Sequence, residues 1–127
     1  MKVIAMDNMI KNDIRVSMIN MRDALEGFQK SDYDKSIYSR IVSSDLYVDA
    51  DTIFTYVSFR SEVDTIEIIN HSLNTGKTIC VPKVNKYTKE MEVYKINSFD
   101  ELDRGYFGIL EPDESCEEVE SSHIDLI

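Results

Sequence analysis

The residues of this chain best suited by type and spacing to do chemistry run from Tyr56 to Thr65, Tyr-Val-Ser-Phe-Arg-Ser-Glu-Val-Asp-Thr. An apolar run from Ile53 to Val57 ends in a small polar residue, Ser58, and acidic residues stand just ahead of a strong helix start. This is how an α/β protein presents polar groups at the carboxyl end of a strand, where the loop and a helix amino-terminus converge on a ligand. By pattern alone Glu62 is a capping or solvated acid, favoured near a helix start, and Val57 is core.

Lys11, Arg15 and Arg22 follow at intervals of four and seven residues, so they share one face of a helix. Two readings stand side by side: a solvated basic stripe, the default for an amphipathic helix, or an anion clamp in which a lysine point charge and an arginine fork neutralise a polyphosphate. Met91 and Tyr94 fall on one strand, either as ordinary strand packing or as an apolar wall for a flat ring, since thioethers and aromatics both pack on π-faces. No Ser or Cys is paired with a base. Cys80, Cys116, His71 and His123 are scattered, so the cysteines read as free thiols and no metal site is expected.

The elements that must carry these residues form an α/β chain of 127 residues, the size of a single domain. Ile10, Ile14, Met18, Met21 and Leu25 make an apolar stripe on a helix from about residue 8 to 25, and a second helix starts near Ser31 with Tyr33, Ile37, Ile41 and Val42 on its buried face. A strand at 52–57 is followed by a helix at 65–73, begun by Asp64 with Glu67 and stopped by Gly76, then by a strand at 77–82. Strand, helix, strand in about 30 residues is a βαβ unit with parallel strands. A strand at 91–96 and a capped turn at Ser98–Glu101 follow, residues 111–122 read as an acidic solvated loop, and Ile124–Ile127 has strand composition. The expected architecture is one three-layer α/β/α domain, residues 1–127, with a mainly parallel sheet that is incomplete at its C-terminus.

A formal net charge of −10 disfavours nucleic acid as a partner, because phosphate-backbone affinity needs a basic surface. No apolar run is long enough to span a membrane and the N-terminal stretch is too short for a signal peptide, which points to a cytoplasmic protein.

Read in order, Lys11-x-x-x-Arg15, Tyr56-Val57-Ser58, Glu62-Val63-Asp64-Thr65, Gly76-Lys77, Val81-Pro82-Lys83, Met91-x-x-Tyr94, Gly105-x-x-Gly108-Ile109-x-Glu111-Pro112 and Asp125-Leu126-Ile127 resemble the 5-formyltetrahydrofolate cyclo-ligase family. The resemblance implies an enzyme that uses ATP, with Mg²⁺, to convert 5-formyltetrahydrofolate to 5,10-methenyltetrahydrofolate, releasing ADP and phosphate. It places Lys11 and Arg15 at ATP-binding positions and Glu62 at the folate-binding glutamate, where a carboxylate accepts pterin N–H donors as a pair. It also makes Val57, Met91 and Tyr94 substrate contacts. Arg22 follows Lys11 and Arg15 on the same helix without an assigned role, and Lys83 and Lys86 either meet the glutamate tail of folate or are plain surface lysines.

In the family the Asp-Leu-Ile strand continues into a Gly-rich phosphate-binding segment. The chain therefore reads as truncated, its own catalysis is doubtful, and a binding remnant without turnover is the alternative. The unfinished sheet edge would favour self-association.

Overall fold

A computed structural model of the chain describes residues 2–105 and 108–127, with side chains from Met9 onward outside the 106–107 gap. Four helices, α1 (Lys2–Asp23), α2 (Gly27–Val42), α3 (Asp45–Asp49) and α4 (Ile66–Asn74), alternate with six strands, β1 (Thr52–Phe54), β2 (Thr78–Val84), β3 (Met91–Ile96), β4 (Leu102–Arg104), β5 (Leu110–Pro112) and β6 (Glu117–Glu118). Two short 3-10 turns, Phe99–Glu101 and Ser121–His123, complete the described elements.

The α/β class is as the sequence implies, and the parallel β1–β2 pair is present with Ile53 opposite Ile79. The crossover between them carries α4, the long connection that parallel strands need. The helix starts where Asp64 Oδ1 accepts the Ile66 N–H at 2.8 Å, but the N-cap is Thr65, so Asp64 stands one residue ahead of the cap and the expected capping box with Glu67 does not form. It stops in a Schellman turn: Lys77 N–H donates to Ser72 O and Gly76 N–H to Leu73 O, with Gly76 at φ +84°.

The main sheet, ordered β1-β2-β3-β6, is mixed rather than mainly parallel, because β2–β3 and β3–β6 are antiparallel. The physical reason is the short connection over 85–90, closed by Asn85 N–H to Glu90 O at 2.8 Å. A segment that short can turn a hairpin but cannot cross over. The acidic stretch is also more structured than a solvated loop: it supplies the end of β5 and all of β6. β4 and β5 form a separate hairpin.

One core cluster joins Ile53, Ile79, Val81 and Ile96 of the sheet to Ile68 and Ile69 of α4, Tyr47 and Ala50 at α3, and Val57 and Leu102. Beneath it the Tyr47 hydroxyl meets His71 Nδ1 and Ser72 Oγ, both at 2.8 Å, and Ser72 donates to Ile68 O. Since Ser72 spends its proton on that carbonyl, Tyr47 donates to Ser72 and accepts from His71.

α1 is a different matter. Its stripe is regular, yet Ile10 and Ile14 are more than half exposed and Met18 and Met21 at least half so. Periodicity identifies a face that seeks a partner, and none of the described elements covers this one. Among the described side chains of α1, only Arg22 is not exposed. α2 begins earlier than expected, at Gly27, because Glu26 and Gln29 form a capping box, and its Tyr33 is exposed rather than buried.

Candidate functional site

β1 and β2 are parallel, so their carboxyl ends meet at one edge of the sheet, and two polar features open there. The first is the loop leaving β1. Thr55 N–H still bonds Cys80 O across the sheet, after which the chain lifts away and Val57, only 4% exposed, pins the loop to the core. Ser58 and Thr65 close its neck by reciprocal bonds, Ser58 N–H to Thr65 Oγ1 at 2.9 Å and Thr65 N–H to Ser58 Oγ at 3.2 Å. Arg60, at φ +53°, reverses the chain in the left-handed region. Glu62 then folds back, and its Oε1 accepts the Phe59 N–H at 2.9 Å. One oxygen braces the loop, and no described donor takes the other.

Tyr56 is 43% exposed, but its hydroxyl turns in and donates to Val63 O at 3.1 Å. Burial of that end lifts its pKa above the usual phenol value; Glu62 and Asp34 lift it further, while Arg22 opposes them. The same hydroxyl thus lies in the field of residues from α1, α2 and the loop. Asp34 joins these elements directly, accepting the Asp64 N–H at 3.4 Å while pairing with Lys30.

The second feature is a cleft of ≈ 800 Å³ beyond the end of β2, lined among others by Lys83, Lys86, Tyr94, Arg104, Glu111 and Asp113. Its floor is built by the β4–β5 hairpin. Glu111 is 8% exposed, and Gly105 makes room for it, since a Cβ there would lie 2.1 Å from Glu111 Oε2. Lys83 Nζ stands 5.7 Å from the centre of the Tyr94 ring. Burial, then Glu92 and Glu118, raise the Tyr94 pKa. Hydrogen bonds from the Ser115 hydroxyl and N–H hold Asp113 below the usual carboxylate range. At the rim, burial pushes the Cys116 thiol up to about 11, with Glu101 and Asp113 adding to it.

The expected site residues are thus distributed unevenly. Glu62 stands at the edge with a free oxygen. Val57 is core, leaving only its backbone for a ligand. Tyr94 lines the cleft, but Met91 does not form a wall with it. Residues three apart on a strand point to opposite faces, and Met91, opposite Val84, is 62% exposed. Lys11 and Arg15 are exposed on α1, roughly 16 and 10 Å along the helix axis from Arg22 at 1.5 Å per residue. The sequence reading missed the buried Glu111; the signal available was the glycine six residues before it. Among the described residues no group of three His, Cys, Asp or Glu is placed to hold a metal ion, and no helix is long and apolar enough to cross a membrane.

Comparison with known proteins bears on what this edge does. The model of the "5-formyltetrahydrofolate cyclo-ligase family" matches residues 7–127. A "probable 5-formyltetrahydrofolate cyclo-ligase" of Caenorhabditis elegans is 22% identical over 107 residues, covering 82% of this chain and 52% of that protein. The NMR structure of Aquifex aeolicus 5,10-methenyltetrahydrofolate synthetase superposes with a TM-score of 0.80 at 25% identity, covering 93% of this chain and 59% of that one. The chain therefore spans little more than half the length of these relatives.

Proposed function

Since this chain belongs to the 5-formyltetrahydrofolate cyclo-ligase family, we propose that it serves the ATP-dependent conversion of 5-formyltetrahydrofolate to 5,10-methenyltetrahydrofolate. The observation that carries this is the family match over residues 7–127, which takes in the Glu62 loop, the cleft and α1 together.

The formyl oxygen is a poor leaving group. Transfer of the γ-phosphoryl group of ATP to that oxygen makes it a good one and leaves ADP. N10 then attacks the activated carbon, loses its proton, and phosphate departs carrying the former formyl oxygen. The protein's task is positioning and charge neutralisation. Glu62 takes the pterin N–H donors on its free oxygen, Tyr94 offers a flat apolar surface, and Lys11 and Arg15 face the polyphosphate. Mg²⁺ in such reactions travels largely with nucleotide phosphates. The described residues gather no group of three His, Cys, Asp or Glu to cage it.

The second reading is a chain that binds folate or nucleotide without turnover. Lys11 and Arg15 stand exposed on α1, roughly 16 and 10 Å along the helix axis from Arg22, and this favours it.

Calorimetric titration with 5-formyltetrahydrofolate tests both readings, and binding is expected. A rise in near-ultraviolet absorbance of the methenyl product with ATP and Mg²⁺ then separates enzyme from binding protein. Absence of folate binding would overturn the first reading, and absence of both folate and ATP binding would overturn the second.

A further inference from the structure

Arg22 carries a sheltered donor that the described residues do not satisfy. Its Nε is shielded from solvent and has no hydrogen-bond partner. A sheltered donor left unpaired is costly, and more so when charged. The surrounding acids are in a different position. Asp34 is held by Lys30 and the Asp64 N–H, Glu62 by the Phe59 N–H, and Asp64 by the Ile66 N–H. Asp34 pairs with Lys30, and none of these carboxylates takes the Arg22 guanidinium.

Packing does not explain its position either. The rest of α1, from Met9 to Asp23, is exposed, and Arg22 alone turns toward the body. It does so at the end of the face shared with Lys11 and Arg15, so a line of cations along the helix leads to the Glu62 loop.

We propose that Arg22 is a ligand-binding residue of this site, whose guanidinium fork receives an oxyanion group of the substrate, phosphate or carboxylate. An arginine fork suits either, because both present two oxygens at matching spacing. The inference rests on the ATP and folate reading for the identity of its ligands. It would bring α1, which has little packing of its own, onto the loop when the site fills.

The test follows the Arg22 Nε–H cross-peak in the ¹⁵N-labelled chain, identified as the peak lost in Arg22→Lys. Titration with inorganic tripolyphosphate, ATP and 5-formyltetrahydrofolate in separate arms is expected to move it. Movement with tripolyphosphate and ATP assigns a phosphate; movement with the folate alone assigns a carboxylate. Arg22→Lys should weaken whichever ligand moves the peak by tenfold or more, with an unchanged circular dichroism spectrum. A peak that stays in place in all three arms overturns the proposal, as does equal affinity in Arg22→Lys. If the folate leaves the amides of residues 55–65 unperturbed, the folate reading fails on its own, and the tripolyphosphate arm still decides Arg22.

Discussion

Glu62 performs two tasks that substitution can separate. Its Oε1 braces the loop by accepting the Phe59 N–H at 2.9 Å, and its other oxygen is free for a ligand. Glu62→Gln keeps a carbonyl oxygen for Phe59 but turns the second acceptor into a donor, which opposes the pterin N–H groups. Glu62→Ala removes both. Losing a carboxylate that pairs with ring donors is worth about 2–4 kcal/mol of binding, because the donors are left unpaired. At 1.4 kcal/mol per tenfold that is about 30- to 700-fold in folate affinity. The brace, a hydrogen bond at a half-buried site, is worth about 1 kcal/mol, or roughly 3–5 °C in Tm for a chain of this size. Calorimetry with 5-formyltetrahydrofolate and ATP, alongside thermal melts, should therefore show both variants losing folate affinity and retaining ATP affinity, with only Glu62→Ala melting lower. Wild-type folate affinity in Glu62→Gln would refute the reasoning and leave Glu62 as a loop brace.

Tyr47→Phe should destabilise the chain by about 1–3 kcal/mol in urea unfolding, because it strips Ser72 of a donor and His71 of an acceptor inside the core. Gly105→Ala drives a methyl group into Glu111, so the β4–β5 hairpin must shift; amide exchange there should quicken and the melting temperature fall. Cys116 is held neutral with a pKa of about 11, above an unfolded thiol near 8.5. Its contribution to stability is thus complete below the unfolded value and is lost as pH rises toward 11. Thermal melts from pH 8 to 11 should show a smaller alkaline decline in Cys116→Ser than in the parent chain, and iodoacetamide should label Cys116 slowly at pH 8.

What the sequence disclosed was decided locally. Asp64, Gly76 and the β-branched and aromatic run at 52–54 act through neighbouring backbone groups, so α4, its C-terminal stop and the parallel pair could be read in advance. What it withheld was decided by tertiary partners. The stripe of α1 is a sound amphipathic pattern, but periodicity does not say whether the partner is among the described elements. β6 consists of two glutamates, residues with weak strand preference, and exists because β3 offers an open edge at Tyr94 and Lys95. Two misses were legible in principle. The short 85–90 connection already forbade a crossover, and the spacing of three between Met91 and Tyr94 already put them on opposite faces.

The site shows the same division. Glu62 could be singled out because the loop that holds it is self-contained: Ser58 with Thr65, Phe59 with Glu62 and Tyr56 with Val63 all lie within ten residues. Glu111 could not, and Arg22 only as one of three cations on a face, because what sets them apart comes from groups distant in sequence. Glu111 is an acid in an acidic stretch until Gly105 is seen to make room for it across the hairpin. Arg22 is one cation of a helical stripe until it is seen to oppose Glu62, Asp34 and Asp64 in the field at the Tyr56 hydroxyl. An ionisable residue costs free energy to shelter, so when the fold shelters one without a partner, the missing partner is best sought outside the chain. Arg22, with its sheltered Nε, is thus tied more closely to the site than the more conspicuous, exposed Lys11 and Arg15.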